Sequence, residues 1–134
     1  MRLKLHSTRL LVNDVSACTR FYRDILGFGA RFDEEGSVYV ELSAGDTFIA
    51  LYDRRMMAEA VGKGDEPEMS AGKDRLLLSF EVNNVDETVR ELEGKGVAMI
   101  APPTDRPVWA LRTAHFCDPE GTLIEINQPL STGG

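Results

Sequence analysis

The sequence contains few of the residues on which several classes of protein depend. Its 2 cysteines, Cys18 and Cys117, are too few for a disulfide framework and form no CxxC pair, so we expect both to be reduced, packed thiols. No apolar run approaches the length of a membrane span. Residues 1–6 lack the apolar core of a signal peptide, which favours a cytoplasmic protein.

Positive charge is also scarce, because 15 lysines and arginines stand against 22 aspartates and glutamates. The resulting net charge of −7 makes nucleic acids and anionic membrane surfaces unsuitable partners. The rest of the composition, with 43% hydrophobic and 28% charged residues, is ordinary for a soluble globular chain. A length of 134 residues suits one domain, or two small halves that share a core.

The first half of the chain predicts the element order βαβββ. A strand over 3–12 leads to a helix that begins at Asn13-Asp14 and ends at Gly27, because short polar residues cap helices and glycine ends them. Alternating and apolar runs then predict three strands, over 28–33, 37–42 and 47–52. Residues 54–73 are charged and rich in glycine, and they predict a short helix over 54–61 followed by a linker.

The second half predicts the same order. A strand over 75–82 precedes a helix that opens with a capping box formed by Asn84 and Glu87. A short strand over 97–100 and a proline-rich loop over 101–107 follow. The chain then forms a hairpin of strands 112–117 and 122–127, joined by the turn Asp118-Pro119-Glu120-Gly121.

The two halves match one another residue by residue. Val12-Asn13-Asp14-Val15 corresponds to Val82-Asn83-Asn84-Val85, and the strand over 47–51 corresponds to that over 122–126. We therefore expect an α+β fold in which two βαβββ modules form a curved mixed sheet around a ligand-binding cleft. The predicted single domain, 1–134, divides into a module at 1–53, a linker at 54–73 and a module at 74–130.

This pattern resembles the vicinal oxygen chelate superfamily, which includes glyoxalase I, bleomycin-resistance proteins and extradiol dioxygenases. The resemblance covers nearly the whole chain, and its most specific parts are the run from Phe21 to Phe28 and the run Asp118-Pro119-Glu120-Gly121 that leads into Ile124-Glu125. It implies a homodimer with small-molecule clefts. In the enzymes it also implies a divalent metal held by the first and last strand of each module.

The resemblance places the four metal-ligand positions at Ser7, Ala50, Leu77 and Glu125. Only Glu125 is a strong ligand, and one carboxylate does not retain a catalytic divalent ion. We therefore expect neither a metal nor another cofactor. The alternative is one divalent metal ion in a rearranged site, with Glu125 joined by His6 or His115.

Strand alternation determines which histidine faces Glu125. Alternation along the strand over 3–12 turns His6 away from the face of Ser7. If the hairpin pairs symmetrically about Pro119-Glu120, Ala114 lies opposite Glu125 and His115 points away. Arg112, Ala114 and Phe116 then share the face of Glu125, whereas a shift of one residue puts His115 beside it.

Without a metal, Glu125 needs another partner. We consider an ion pair with Arg9 or Arg112, or a solvated carboxylate in the cleft. Trp109 is a stacking platform for a planar ligand or a plug in an interface, and Tyr39 and Tyr52 admit the same two interpretations. The predicted ligand-binding residues are those on the cleft faces: Ser7, Arg9, Phe48, Ala50, Tyr52, Leu77, Ser79, Trp109, Arg112 and Glu125.

The favoured hypothesis is a metal-free protein, similar to the bleomycin-resistance branch, that sequesters a small aromatic or amphipathic molecule in clefts of a homodimer. The acidic balance suits a cationic ligand such as a glycopeptide antibiotic. The alternative is a metal-dependent lyase, isomerase or dioxygenase with a rearranged site around Glu125 and His6 or His115. A metal-free enzyme with Glu125 as general base, and a regulatory domain with no ligand, are further alternatives.

Overall fold

The computed structural model describes residues 1–2, 6–60 and 76–131. The chain divides into two compact units, Met1–Ala71 and Gly72–Gly134, and each contains one four-stranded mixed sheet with helices. No helix within the described residues is long and apolar enough to cross a membrane. The predicted linker after residue 60 and the predicted start of the first strand, 3–5, lie outside the described residues.

The described residues of unit 1 form four strands and two α-helices: β1 (Thr8–Val12), α1 (Val15–Arg20), β2 (Ala30–Arg31), β3 (Tyr39–Ala44), β4 (Thr47–Asp53) and α2 (Arg54–Ala60). The side chain of Asp14 caps α1 by accepting a hydrogen bond from the Ala17 N–H at 2.9 Å. The helix continues as a π-helical turn over Phe21–Ile25. Gly27, with φ of 82°, follows it, as predicted for the end of this helix.

The sheet of unit 1 has the strand order β1-β4-β3-β2, with β1 parallel to β4 and the other pairs antiparallel. Alternate strand residues pack with α1 into a core, because one face of each strand is apolar. The buried core includes Leu10, Val12, Val15, Cys18, Tyr22, Val40, Leu42, Ile49 and Leu51. We call the opposite side of the sheet the distal face of unit 1; it carries Arg9, Leu11, Arg31, Tyr39, Glu41, Ser43, Phe48, Ala50 and Tyr52.

Unit 2 repeats this architecture with β5 (Leu77–Glu81), α3 (Val85–Gly94), β6 (Ala101–Arg106), β7 (Leu111–Cys117) and β8 (Leu123–Pro129). Asn84 caps α3 through the Glu87 N–H at 2.9 Å. The strand order β5-β8-β7-β6, with β5 parallel to β8, reproduces the order of unit 1 and agrees with the predicted repeat. The distal face of unit 2, opposite α3, carries Leu77, Ser79, Glu81, Thr113, His115, Cys117, Leu123, Glu125 and Asn127.

The structure corrects two strand predictions in unit 2. Residues 97–100 form no strand, and the predicted proline-rich loop is instead the edge strand β6, Ala101–Arg106. Pro102 and Pro103 lie where the register with β7 shifts between Ala101 and Thr104. Proline is tolerated there because an edge strand with a bulge needs fewer N–H donors.

The hairpin register is also corrected. His115 pairs with Glu125, whereas the symmetric prediction paired Ala114 with it, so Arg112, Ala114 and Phe116 do not share the face of Glu125. The loop spans five residues, 118–122, because the Asp118 carboxylate accepts hydrogen bonds from the N–H groups of Glu120 at 2.8 Å and Thr122 at 2.9 Å. The one-residue shift considered as the alternative is the observed arrangement.

Candidate functional site

Glu125 occupies the middle of the distal face of unit 2. It lies on β8, between its register partners Ser79 on β5 and His115 on β7. An interior strand places a side chain among neighbours on both sides, and the side chains of Glu125 and His115 are each only 12% exposed. A carboxylate with so little access to water requires hydrogen-bond donors.

Three side chains supply those donors. Oε1 of Glu125 lies 3.0 Å from Nε2 of His115, and Oε2 accepts from Ser79 Oγ at 3.2 Å and Asn127 Nδ2 at 2.9 Å. Asn127 Nδ2 also donates to Ser79 Oγ at 2.8 Å. If Glu125 is ionised it can only accept hydrogen bonds, and Nε2–H of His115 is then the donor in this pair. The four residues form one polar network.

The predicted ion pair between Arg112 and Glu125 is wrong. Arg112 lies on the other side of the sheet, where Nε and Nη2 donate to Asp86 at 2.8 and 2.9 Å, and Nη1 donates to Asp105 at 2.8 Å. Its bidentate contact with Asp86 lowers the pKa of that carboxyl group. The error follows from the hairpin register, because a shift of one residue exchanges the two faces of β7.

The distal face of unit 1 carries an aromatic cluster around Arg9. The guanidinium carbon of Arg9 lies 5.5 Å from the ring centroid of Tyr39 and 5.9 Å from that of Tyr52, within the range of cation–π contacts. The two tyrosine rings lie 6.0 Å apart. The Tyr39 hydroxyl donates to Glu41 Oε2 at 2.8 Å, and burial and then this hydrogen bond raise the pKa of Tyr39.

His6 contacts the distal face of unit 1 at Phe48. Its ring packs edge-on against Phe48, with centroids 5.4 Å apart and planes at 85°. Strand alternation does not apply to His6, because β1 begins only at Thr8. The prediction that alternation turns His6 away from this face is therefore wrong.

The donor set of unit 1 and unit 2 does not fit a catalytic metal. Of the four positions that the resemblance assigns to metal ligands, Ala50 and Leu77 have no side-chain donor and Ser7 has only a weak one. In the alternative set, unit 2 supplies two donors, His115 and Glu125, whose Nε2 and Oε1 atoms lie 3.0 Å apart. Within the described ranges, no group of three or more His, Cys, Asp or Glu residues is placed to hold a metal ion.

Other predicted site residues lie at the edges of the distal faces. Ser7 immediately precedes β1, and Leu77, the first residue of β5, is exposed. Trp109 lies in a 3-10 turn over Pro107–Trp109 and is 54% exposed, with the guanidinium of Arg106 5.4 Å from its ring centroid. Much of the indole is therefore accessible to solvent.

Sequence reasoning missed Asn127 and Glu41. Asn127 lies two residues after Glu125 on the same strand and is the repeat partner of Tyr52. Both strand alternation and the internal repeat therefore place it on the distal face with Glu125. Glu41 follows Tyr39 by two residues, and it pairs with Ala50 as His115 pairs with Glu125.

Known proteins are similar to this chain in sequence and in structure. The family model of the Glyoxalase/Bleomycin resistance protein/Dioxygenase superfamily matches residues 4–126. YraH of Bacillus subtilis (strain 168) is 40% identical over 128 residues, which are 96% of this chain and 100% of YraH. A glyoxalase/bleomycin resistance protein/dioxygenase from Nocardioides has a similar fold, with a TM-score of 0.80 and 24% identity over 99% of this chain and 87% of its own. TnmS3, an antibiotic binding protein from Streptomyces sp. CB03234, gives a TM-score of 0.71 and 26% identity over 96% of this chain and 97% of its own.

Proposed function

Because the chain belongs to the Glyoxalase/Bleomycin resistance protein/Dioxygenase superfamily, we propose that it binds and sequesters a small aromatic or amphipathic molecule without a metal ion. The observation that carries this proposal is the aromatic cluster of Arg9, Tyr39 and Tyr52 on the distal face of unit 1. The poor donor set at Ala50 and Leu77 supports binding over metal catalysis.

The aromatic cluster has the properties of a binding platform. Tyr39 and Tyr52 are each partly accessible to solvent, and so is Phe48 elsewhere on the same distal face. Tyrosine and phenylalanine have only two side-chain torsions, so they offer large apolar contact area at a low cost in conformational entropy. The face therefore suits a planar apolar molecule that stacks on the rings.

Similarity to TnmS3 supports the same function. TnmS3 is an antibiotic binding protein, and its alignment covers 96% of this chain and 97% of TnmS3. We propose that the molecule sequestered by this chain is likewise a small organic compound, and that the working form is a homodimer. Light scattering coupled to size-exclusion chromatography measures the mass of the proposed homodimer. A monomeric mass that persists with ligand bound contradicts the dimer.

A ligand screen tests the binding function. We expect an aromatic metabolite or antibiotic to raise the Tm of the wild-type protein, since binding to the folded state alone stabilises it. Replacing Tyr52 with Leu should abolish the shift. Ile100→Ser, at an exposed apolar residue of unit 2, serves as the control and should retain it.

Two outcomes contradict the binding proposal. One is the absence of any stabilising compound in a broad panel of aromatic and amphipathic molecules. The other is an equal Tm shift in the wild-type protein and in Tyr52→Leu, which would place binding away from the aromatic cluster.

A second candidate function is metal-free acid–base catalysis by the distal face of unit 2. The observation that favours it is the 3.0 Å contact between His115 and Glu125, in which the carboxylate orients the imidazole. With Nε2–H donated to Glu125, Nδ1 of His115 is the atom that can accept a proton from a bound carbonyl compound, and the Glu125 carboxylate then stabilises the imidazolium. Mass spectrometry of a bound compound after incubation tests for turnover. Catalysis predicts conversion that His115→Gln abolishes while binding persists, and an unchanged compound contradicts it.

A further inference from the structure

We propose that the ligand of this protein is an aromatic anion and that Arg9 recognises its negative charge. This inference rests on the proposed binding function and specifies the chemistry of the molecule bound at the aromatic cluster. It assigns the ligand two parts: a planar apolar ring system, and an acidic substituent such as a carboxylate or a sulfonate.

The two tyrosine rings position the guanidinium group of Arg9 so that its N–H donors can bind an anion. The group lies over the rings of Tyr39 and Tyr52, at 5.5 and 5.9 Å, and the residue is exposed. A planar guanidinium that packs its face on aromatic rings keeps the N–H donors along its edge. Those donors match the two oxygens of a carboxylate or sulfonate, which is the geometry of strong charge-assisted hydrogen bonds.

Arg9 forms no ion pair with a carboxylate within the described part of unit 1. It does interact with the neutral phenol of Tyr39, and this interaction opposes the rise in the pKa of Tyr39. Glu41 is the one carboxylate that strands β1 to β4 place on the distal face, and it is held by other groups: the Tyr39 hydroxyl at 2.8 Å and Arg31 Nη1 at 3.9 Å.

Tyr39 adds no negative charge to the aromatic cluster. Its pKa lies above the usual value, because burial and the hydrogen bond to Glu41 both disfavour the phenolate. A neutral phenol leaves Arg9 as the charged group that contacts both tyrosine rings. The protein as a whole is acidic, with a net charge of −7, so long-range attraction does not bring an anion to this surface. Recognition of an anion must therefore come from a local group.

Two fluorescent probes test the assignment directly. Anilinonaphthalene sulfonate is an aromatic anion, and phenylnaphthylamine is its analogue without the sulfonate. We expect the intact wild-type chain to bind both, with the sulfonate tighter. In Arg9→Met, the Kd of anilinonaphthalene sulfonate should rise roughly tenfold or more, because a charge-assisted hydrogen bond is lost, while that of phenylnaphthylamine should change less than about twofold.

Two further variants control for charge and for folding. Arg90→Met removes the same charge from the exposed surface of α3 and should leave both Kd values unchanged. Arg9→Lys retains the charge without the planar fork and should give an intermediate Kd for the sulfonate. Circular dichroism of each variant establishes that it is folded.

The outcomes separate this inference from the proposed function. If phenylnaphthylamine binds as tightly as the sulfonate, or if Arg9→Met weakens both probes equally, anion recognition by Arg9 is wrong while aromatic binding stands. If neither probe binds the folded wild-type protein, both the anionic ligand and the aromatic-binding function are contradicted. Loss of sulfonate binding confined to Arg9→Met supports the inference.

Discussion

The two units share a backbone plan but present different chemistry on their distal faces. In unit 1, Ala50 lies between Arg9 and Glu41 in the sheet, and in unit 2 its repeat partner Glu125 lies between Ser79 and His115. Around that position unit 1 places two tyrosine rings, the cation of Arg9 and the carboxylate of Glu41, whereas unit 2 places side chains that hydrogen-bond the central residue itself.

The central residue of each distal face constrains the side chains around it. A partly buried carboxylate requires donors, so Ser79, His115 and Asn127 all contact Glu125. Ala50, which is fully buried, makes no such demand. The corresponding neighbours in unit 1 are therefore free to form an aromatic surface.

Substitutions in the buried cores, which both units have, should reduce stability the most. Leu51 and Ile126 are repeat partners in the buried cores. Replacing either with Ala should lower the free energy of unfolding by about 2–5 kcal/mol, because each substitution leaves a cavity. Chemical denaturation measures both changes. A negligible loss for one of them would contradict the equivalence of the two cores.

Removing the polar network around Glu125, which in the described part of the chain only unit 2 has on its distal face, should cause the next largest loss of stability. Glu125→Leu should cost about 1–3 kcal/mol, because His115, Ser79 and Asn127 lose their common acceptor. Adding His115→Phe should recover part of that loss, since an apolar pair replaces a broken polar pair. The free energies of the single and double variants form a double-mutant cycle.

Glu81→Leu is the matched control, because Glu81 is an exposed carboxylate on the same distal face. It should change stability by less than about 0.5 kcal/mol. Equal effects at Glu81 and Glu125 would show that the polar network of unit 2 does not stabilise the fold.

A smaller effect distinguishes unit 1 at high pH. The pKa of Tyr39 is raised in the folded state, so the folded state holds the phenolic proton more tightly than the unfolded state. This stabilising contribution is complete below the unfolded pKa, near 10, and is lost as pH rises through the folded pKa. Tyr39→Phe should therefore flatten the fall in unfolding free energy above about pH 10.

Tyr52→Phe is the control for this titration, because it removes a phenol from the same face without removing the bond to Glu41. Denaturation at a series of alkaline pH values supplies the slopes. If Tyr39→Phe keeps the wild-type dependence of unfolding free energy on pH, the raised pKa of Tyr39 is contradicted.

The smallest effect lies outside both distal faces. Arg112 lowers the pKa of Asp86, so their contact stabilises the fold above the unfolded pKa of aspartate and is lost as pH falls through the folded pKa. Arg112→Met should therefore move acid unfolding to slightly higher pH. Arg55→Met, at an exposed arginine of α2, is the control. Identical acid midpoints for the two variants would contradict this contribution.

The sequence supported the prediction of the repeat, the element order and the family because those features depend on local patterns. The caps at Asp14 and Asn84 follow from residue type, and the alternation of β4 and β8 identified Ala50 and Glu125 as partners. These interactions are short in range, so neighbouring residues are sufficient to predict them.

The partner of Glu125 could not be predicted in the same way. Asp118 lengthens the hairpin loop to five residues, and that added residue turns His115 toward Glu125 and Arg112 toward Asp86. A side-chain bond within a turn thus decided the face of a whole strand. Strand β6 could not be predicted either. Its prolines are compatible with a strand only at the edge of a sheet, and the position of a strand within the sheet is set by tertiary structure.

Binding of phenylnaphthylamine to chelator-treated protein, with its metal content measured on the same sample, tests metal-free binding most directly. Metal-free binding predicts that the Kd is the same before and after chelation and is unchanged when zinc or manganese is added back. Loss of binding on chelation, its return with about one divalent ion per chain, and failure of that return in Glu125→Gln would contradict it.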